Sequence, residues 1–298
     1  MSIRAGASVR DITPEGQVRL ARRTGPGRLS TGILDPLLVS AIHLRGGAGG
    51  VMILSLDLLC LSPSVIRRIR KRIVETTGTH AHNIMIGTTQ NHSGPVVGFD
   101  PYVSGDPQNI KQHDAYIENI VNQAVQAASE AAVASVPAEV AVVSLAEPHT
   151  GAMLVKNGRN NRIMAAIVLC GEVPDCLGAD NSSLSSDFVH SVRERLAARF
   201  GHSPVTALFV GPSGRVQVAG KTRMAKEVGE GLADQVLAEV KKLSSSDLLS
   251  NLSFEGRLAE VPDILRCHLP SKFDVAMELN EAIEAWSKVE KEGGSVEE

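Results

Sequence analysis

A mixed α/β fold, one sheet with helices packed on it in a single large domain, is what the chain predicts, and three observations lead there. Short β-branched or aliphatic runs alternate along the chain with runs of helical period. Hydrophobic residues make up 43% of the 298 positions and charged residues 21%, which is enough apolar surface for a core and too little charge for a disordered chain. The apolar runs are also punctuated by glycine, proline and serine, as strands in a compact domain are.

In chain order, Leu37 to Leu44 and Val51 to Leu56 predict a β-hairpin, because Arg45-Gly46-Gly47-Ala48-Gly49-Gly50 between them is a glycine-rich turn. Ser62 to Glu75 predicts an amphipathic helix, with Ser62 as N-cap, Pro63 at the first helical position, and Val65, Ile66, Ile69 and Ile73 on one stripe. A strand over Ile84 to Gly87 then opens into the polar run Thr88-Thr89-Gln90-Asn91-His92-Ser93-Gly94-Pro95. Residues 96–111, with Pro101, Gly105 and Pro107, read as a long loop of the kind that covers sites. Asp114 to Ala134 is a helix ended by Pro137, followed by a strand over Ala138 to Leu145.

The second half continues the alternation. Strands are expected over Ala165 to Cys170 and Val205 to Val210, and helices over Ser186 to Phe200 and Met224 to Leu243. A last strand over Leu252 to Val261 and a helix over Asp274 to Glu290, with Val275, Leu279, Ile283 and Trp286 on its apolar face, complete the domain at about residue 290. Residues 291–298 form an acidic disordered tail, and no internal sequence repeat is visible.

Composition excludes several functions. A formal charge of −3 gives no electrostatic case for nucleic acid, and the basic run Arg67 to Arg72 falls on the solvated face of a helix. Aromatic residues at 3% argue against base-stacking platforms. Cys60, Cys170, Cys176 and Cys267 show no metal-knuckle spacing and read as reduced thiols. No window approaches the roughly 18 apolar residues of a membrane span, and the start of the chain lacks the pattern of a leader, so a cytoplasmic protein without transmembrane segments is expected.

The polar run carries the functional signal. A strand that opens into His92, Ser93 and Gly94 puts ionisable and hydrogen-bonding groups at a strand's carboxyl end, where open α/β sheets bind ligands. His92 reads as a general acid/base or carbonyl-binding group, or as a hydrogen-bonded structural histidine. Asp11, Asp35 and Asp57 read as turn and capping residues. His80 and His82 read as surface residues, and nothing places His149 or His190 near His92.

Four segments in order, Val9-Arg10-Asp11-Ile12-Thr13-Pro14, Gly32-Ile33-Leu34-Asp35-Pro36-Leu37, Ser55-Leu56-Asp57-Leu58-Leu59 and His92-Ser93-Gly94-Pro95, resemble the N-terminal domain of the neutral/alkaline ceramidases. The resemblance is strongest over about residues 3 to 145 and traceable to about 290. It implies a zinc site that hydrolyses the amide bond of an N-acylated sphingoid base, the metal polarising the carbonyl and lowering the pKa of a bound water.

Position by position, the resemblance puts the family's first histidine ligand on Gln90 and its neighbouring histidine on His92. The second histidine ligand, which follows a strand, falls on Gly171 after Val168-Leu169-Cys170. Arg215 stands where the family has an aspartate, and Gln217 where it has a serine often assigned a catalytic role. The connection around Asn157 to Arg162 is shorter than in the family, and the later glutamate and tyrosine ligands have no counterpart. A carboxamide is a poor zinc donor, and glycine offers no side chain.

The resemblance therefore implies His92 as the catalytic residue, Asn91, Ser93, Gly94 and Arg162 as ligand-binding residues, and no residue committed to a metal. Two readings stay open. One is a ceramidase-like module without a complete zinc amidohydrolase site, with no cofactor, that binds a small N-acyl ligand or needs a homo-oligomer or a separate C-terminal-half partner. The other is a zinc-dependent amidohydrolase cleaving the amide bond of an N-acyl, ceramide-like substrate.

Overall fold

The structure, a computed structural model, describes residues 2–21, 29–47, 49–97, 107–146, 150–211, 224–254 and 256–257. The chain divides into two units, Met1–Leu258 and Ala259–Glu298, and every described residue belongs to the first. The strand expected beyond residue 257, the helix over Asp274 to Glu290 and the acidic tail lie outside the described residues, as do Arg215, Gln217 and His149.

Ten strands and four helices run β1 (Arg4–Asp11), β2 (Gly32–Ile33), β3 (Leu38–Gly46), β4 (Gly49–Leu56), α1 (Pro63–Thr77), β5 (Ile84–Thr88), α2 (Pro107–Val133), β6 (Val136–Ser144), β7 (Gly151–Asn157), β8 (Ile163–Cys170), β9 (Ser183–Leu184), α3 (Phe188–Phe200), β10 (Val205–Val210) and α4 (Ala225–Val240) among the described residues. Eight strands form one mixed sheet in the order β10-β8-β7-β6-β1-β3-β4-β5, and β2 and β9 form a parallel pair apart from it. The β4–β5 and β8–β10 pairs are parallel, and the other neighbours in the large sheet are antiparallel.

The sheet folds over on itself. Five strand steps separate β3 from β10, which would put them about 24 Å apart in a flat sheet. Yet Ser40 Oγ donates to the Thr206 carbonyl at 2.9 Å, and Ser55 Oγ to that of Leu208 at 2.7 Å. The fold line is the short β1–β6 contact, where only Arg4 and Ala5 pair with Pro137 and Val136.

Strand alternation then builds three cores from one sheet. Val39, Ala41, Met52, Leu54 and Leu56 face α1 and α2, whereas Ile42 and Leu44 meet Ala165, Ala207 and Phe209 between the two halves. Ala166, Val168 and Leu208 face α3 and α4. The result is helices, half-sheet, half-sheet, helices, so strands buried on both faces read as continuous apolar runs.

The same order occurs twice: β1-β3-β4-α1-β5-α2, then β6-β7-β8-α3-β10-α4. A repeat was not visible in the sequence because it is one of topology and burial, which many residue choices satisfy. Local capping is legible where chemistry is strong: Ser62 Oγ accepts from the Val65 amide, and Gly78 closes α1 at φ +69°.

Several boundaries differ from expectation. β3 and β4 extend through Gly46 and from Gly49, so the hairpin turn is tighter than its glycine run suggests. α2 begins at Pro107, inside the segment expected to be a loop. Pro137 lies within β6 rather than ending a helix, tolerated at the second residue of the strand, where it needs no amide hydrogen. β1 and β7 were missed because their small and charged residues hide the alternation, and residues 252–254 and 256–257 form no strand.

β3 also carries a buried imidazole. Burial, with the Arg45 guanidinium adding to it, pushes His43 down from 6.5 to about 4. Between those values the unfolded chain holds a proton that the folded one lacks, so stability is fully present above pH 6.5 and is lost as pH falls toward 4. Urea unfolding is expected to show a loss of about 2 kcal/mol from this group between pH 8 and pH 5. His43→Gln should flatten that slope; an unchanged slope would assign it elsewhere.

Candidate functional site

The carboxyl ends of the parallel pairs β4–β5 and β8–β10 converge on one corner. Gly87 near the end of β5 lies against the Phe209 ring of β10, where a Cβ would sit 2.6 Å from the ring, so only glycine lets these two edge strands approach. The His92 amide donates to the Pro174 carbonyl at 3.0 Å, tying the loop after β5 to the loop after β8. The positions on which the resemblance places zinc ligands, Gln90 and Gly171, lie on these two joined loops.

Beneath the loop is an acidic framework, buried at Asp35 and Asp57 and exposed at Asp11. Asp57, fully buried at the end of β4, accepts two bonds from Arg193 of α3 at 2.6 and 3.0 Å and one from the Leu38 amide at 2.9 Å. Asp35 accepts from Ser185 Oγ at 2.5 Å, the Ser186 amide at 2.6 Å and Ser186 Oγ at 2.7 Å. Asp11 accepts from the Thr13 amide, and Thr13 Oγ1 accepts in turn from that of Leu37. Tyr116 of α2 donates to the Ile12 carbonyl at 2.8 Å, and burial, followed by the Asp11 and Asp57 carboxylates, pushes its hydroxyl far up. Asp35 and Asp57 thus join segments distant in sequence, whereas Asp11 bonds within its own turn, as a turn residue does.

Asn91 is 0% exposed, and its carboxamide is committed within the protein. Its Nδ2 donates to the Ser185 carbonyl at 2.7 Å and to that of Asp57 at 3.3 Å, while its Oδ1 accepts from the Ser93 amide at 2.9 Å. Ser93 is buried, its carbonyl accepts from the Ser185 amide, and its Oγ accepts from Asn181. Gly94 is buried as well, and its carbonyl accepts from the Ala21 amide at 2.8 Å. Three of the four residues expected to bind a ligand, Asn91, Ser93 and Gly94, thus hold the loop to its neighbours through polar atoms that face inward.

Arg162, the fourth, lies apart from these three. It is exposed in the β7–β8 turn, where its carbonyl accepts from the Asn157 amide. That turn is at the opposite end of β8 from the His92 corner, roughly 26 Å of strand away. The resemblance that marked Arg162 carried no information on which end of a strand it would occupy.

His92 is half-buried and is the one imidazole on the loop. Gln90 beside it is exposed and holds φ +59°, a left-handed conformation that turns the chain between the strand and the latch residues. His80 and His82 are exposed and stack on each other 5.4 Å apart, beside the amino end of β5.

One group was missed from sequence. Asp187, expected inside α3, is its N-cap: it is 2% exposed and accepts from the Phe188 amide at 2.7 Å and the Leu177 amide at 3.0 Å. Its φ of +56° and ψ of −139° are costly for a residue with a Cβ, of the order of 1–3 kcal/mol. Burial pushes its carboxyl up, against bonds from Leu177, Phe188 and Cys176 that pull it down. Ser-Ser-Asp before an apolar helix is an N-cap signature, but the strain is invisible in it.

The described residues of the corner are a poor donor set for a zinc ion. At the two positions implied as ligands stand a neutral carboxamide and no side chain, and no group of three or more His, Cys, Asp and Glu is arranged for a metal among the described residues.

No family model matches the chain, and no curated protein matches it. Solved structures do. The chain is similar to the neutral ceramidase from Pseudomonas aeruginosa, with a TM-score of 0.65 and 14% identity over 84% of this chain and 46% of that one. It is similar also to a ceramidase complexed with C2, with a TM-score of 0.67 and 15% identity over 84% of this chain and 45% of that one. The chain spans about half the length of these structures. The mixed α/β fold expected from the resemblance is the fold observed, and likeness at this identity establishes that shared fold.

Proposed function

We propose that this chain is a ceramidase-like scaffold without a complete zinc amidohydrolase site, acting as a non-catalytic or partner-dependent module. The observation that carries this reading is the pairing of Gln90 and Gly171 on the two joined loops. Metal sites fail cooperatively: with both imidazoles replaced, neighbouring residues that would orient ligands have nothing to orient. Binding asks less, because a pocket at strand ends is shaped by the fold. In this reading His92 is the residue that meets a small N-acyl ligand.

Elemental analysis of the purified protein, with an amide-cleavage assay on a panel of N-acyl substrates, tests it. Zinc far below one equivalent and no cleavage are expected. Stoichiometric zinc with cleavage would instead establish the zinc-dependent amidohydrolase reading. His92→Ala is expected to weaken binding of an N-acyl ligand about tenfold while leaving stability within about 1 kcal/mol, measured by calorimetry and urea unfolding.

The partner part of the proposal follows from the same donor set. A competent metal site at this corner would need donors beyond the described residues, which a second copy or another chain would supply. Light scattering is expected to show self-association or capture of a partner, and a monomer at moderate concentration, inert on mixing with candidate partners, would count against it. No helix among the described residues is long and apolar enough to cross a membrane.

A further inference from the structure

At the far end of β4 from the His92 corner, a cavity of about 460 Å³ opens beside the β3–β4 hairpin. Its lining includes Arg4, His43, Arg45, Gly50 and His80, and no carboxylate among the described residues. Arg4 and Arg45 are register partners on adjacent antiparallel strands, so two like charges stand directly opposite one another. That arrangement is destabilising by itself. Neither arginine forms an ion pair among the described residues; Arg4 gives one bond to the Ser135 carbonyl.

Two further observations point to a ligand. His43 is 6% exposed, lines the cavity, and has an Nδ1 without a hydrogen-bond partner among the described residues. Gly50 pairs with Arg45 across the hairpin, and a Cβ there would sit 2.9 Å from Arg45 Cγ and 3.4 Å from His43 Nε2. A side chain at that position would fill the space over the Arg45 and His43 side chains, and glycine leaves it open.

We propose that this cavity is a binding site for a phosphate monoester, held between Arg4 and Arg45 with His43 at its floor. The choice of phosphate rests on geometry. One guanidinium fork satisfies the single edge of a carboxylate, whereas two forks on neighbouring strands match two edges of a tetrahedral dianion. The cavity is larger than phosphate alone, so the group is carried either by a soluble metabolite or by a lipid headgroup. This site is separate from the His92 corner, and its test does not depend on the function proposed there.

The experiment uses the full chain with two probes, inorganic phosphate exchanged for chloride at constant ionic strength, and vesicles containing phosphatidate. Phosphate is expected to shift the NMR signals of the His43 ring and to raise the melting temperature. Arg45→Ala should weaken binding at least tenfold, Arg45→Lys should recover part of it, and Arg195→Ala on α3 should change nothing. A response to inorganic phosphate supports a soluble ligand, and a response to vesicles alone supports a headgroup. His43 signals unmoved by either probe, or a folded Arg45→Ala protein that binds like the parent, would overturn the proposal.

Discussion

Replacing Arg193 by alanine is expected to destabilise the protein by about 3–5 kcal/mol, the largest effect of any single polar substitution at the His92 corner. The size follows from what remains. Asp57 has no exposure, and Arg193 supplies two of its hydrogen bonds. Removing the guanidinium leaves a carboxylate in the interior with the Leu38 amide as its one direct partner among the described residues. The pair also joins the end of β4 to α3, so the loss should be cooperative with loosening of the loop above it. Urea unfolding of Arg193→Ala checks this. The double variant Arg193→Leu with Asp57→Leu should recover a large part of the loss, because the desolvated charge goes with its partner. A cost below about 1 kcal/mol for Arg193→Ala would show the pair to be solvated in practice.

Asn91→Asp is the second large expectation, a loss of about 2–4 kcal/mol from an almost isosteric change. The donor Nδ2 faces two carbonyl oxygens, those of Ser185 and Asp57. An ionised oxygen in its place would meet acceptors on that side, with no water to take up the repulsion at a residue of 0% exposure. The measurement separates two roles: a latch loses stability whether or not ligand is present, whereas a residue that only contacts ligand would leave the unfolding midpoint unchanged. If Asn91→Asp unfolds at the parent's midpoint, the latch assignment is wrong.

Particular residues show how far the sequence could be read. Ser62, Pro63 and the stripe Val65, Ile69, Ile73 specify α1 because capping and helical burial act within one turn or two of chain. The hairpin of β3 and β4 was legible for the same reason. β7 was not, since Gly151, Ala152, Met153 and Lys156 carry little strand preference and become a strand by pairing on both sides with β6 and β8. The start of α2 was hidden by proline and polar residues that also suit a loop.

The candidate site divides along the same line. The sequence by itself determined which chemistry is available: an imidazole at His92, a carboxamide at Gln90, no side chain at Gly171, and three aspartates in turn-like settings. Those are matters of covalent identity, and no folding changes them. Only the tertiary structure decided which of these groups face a ligand and which face the protein. Asn91 and Ser93 turned inward because Ser185, more than ninety residues away, offers matching backbone groups, and strand direction carried Arg162 to the end of β8 away from His92. The pairing of Arg4 with Arg45 likewise exists only through sheet register. Side-chain direction and long-range pairing depend on global packing, whose energy is shared among contacts far apart in the chain, and no local pattern of residues encodes it.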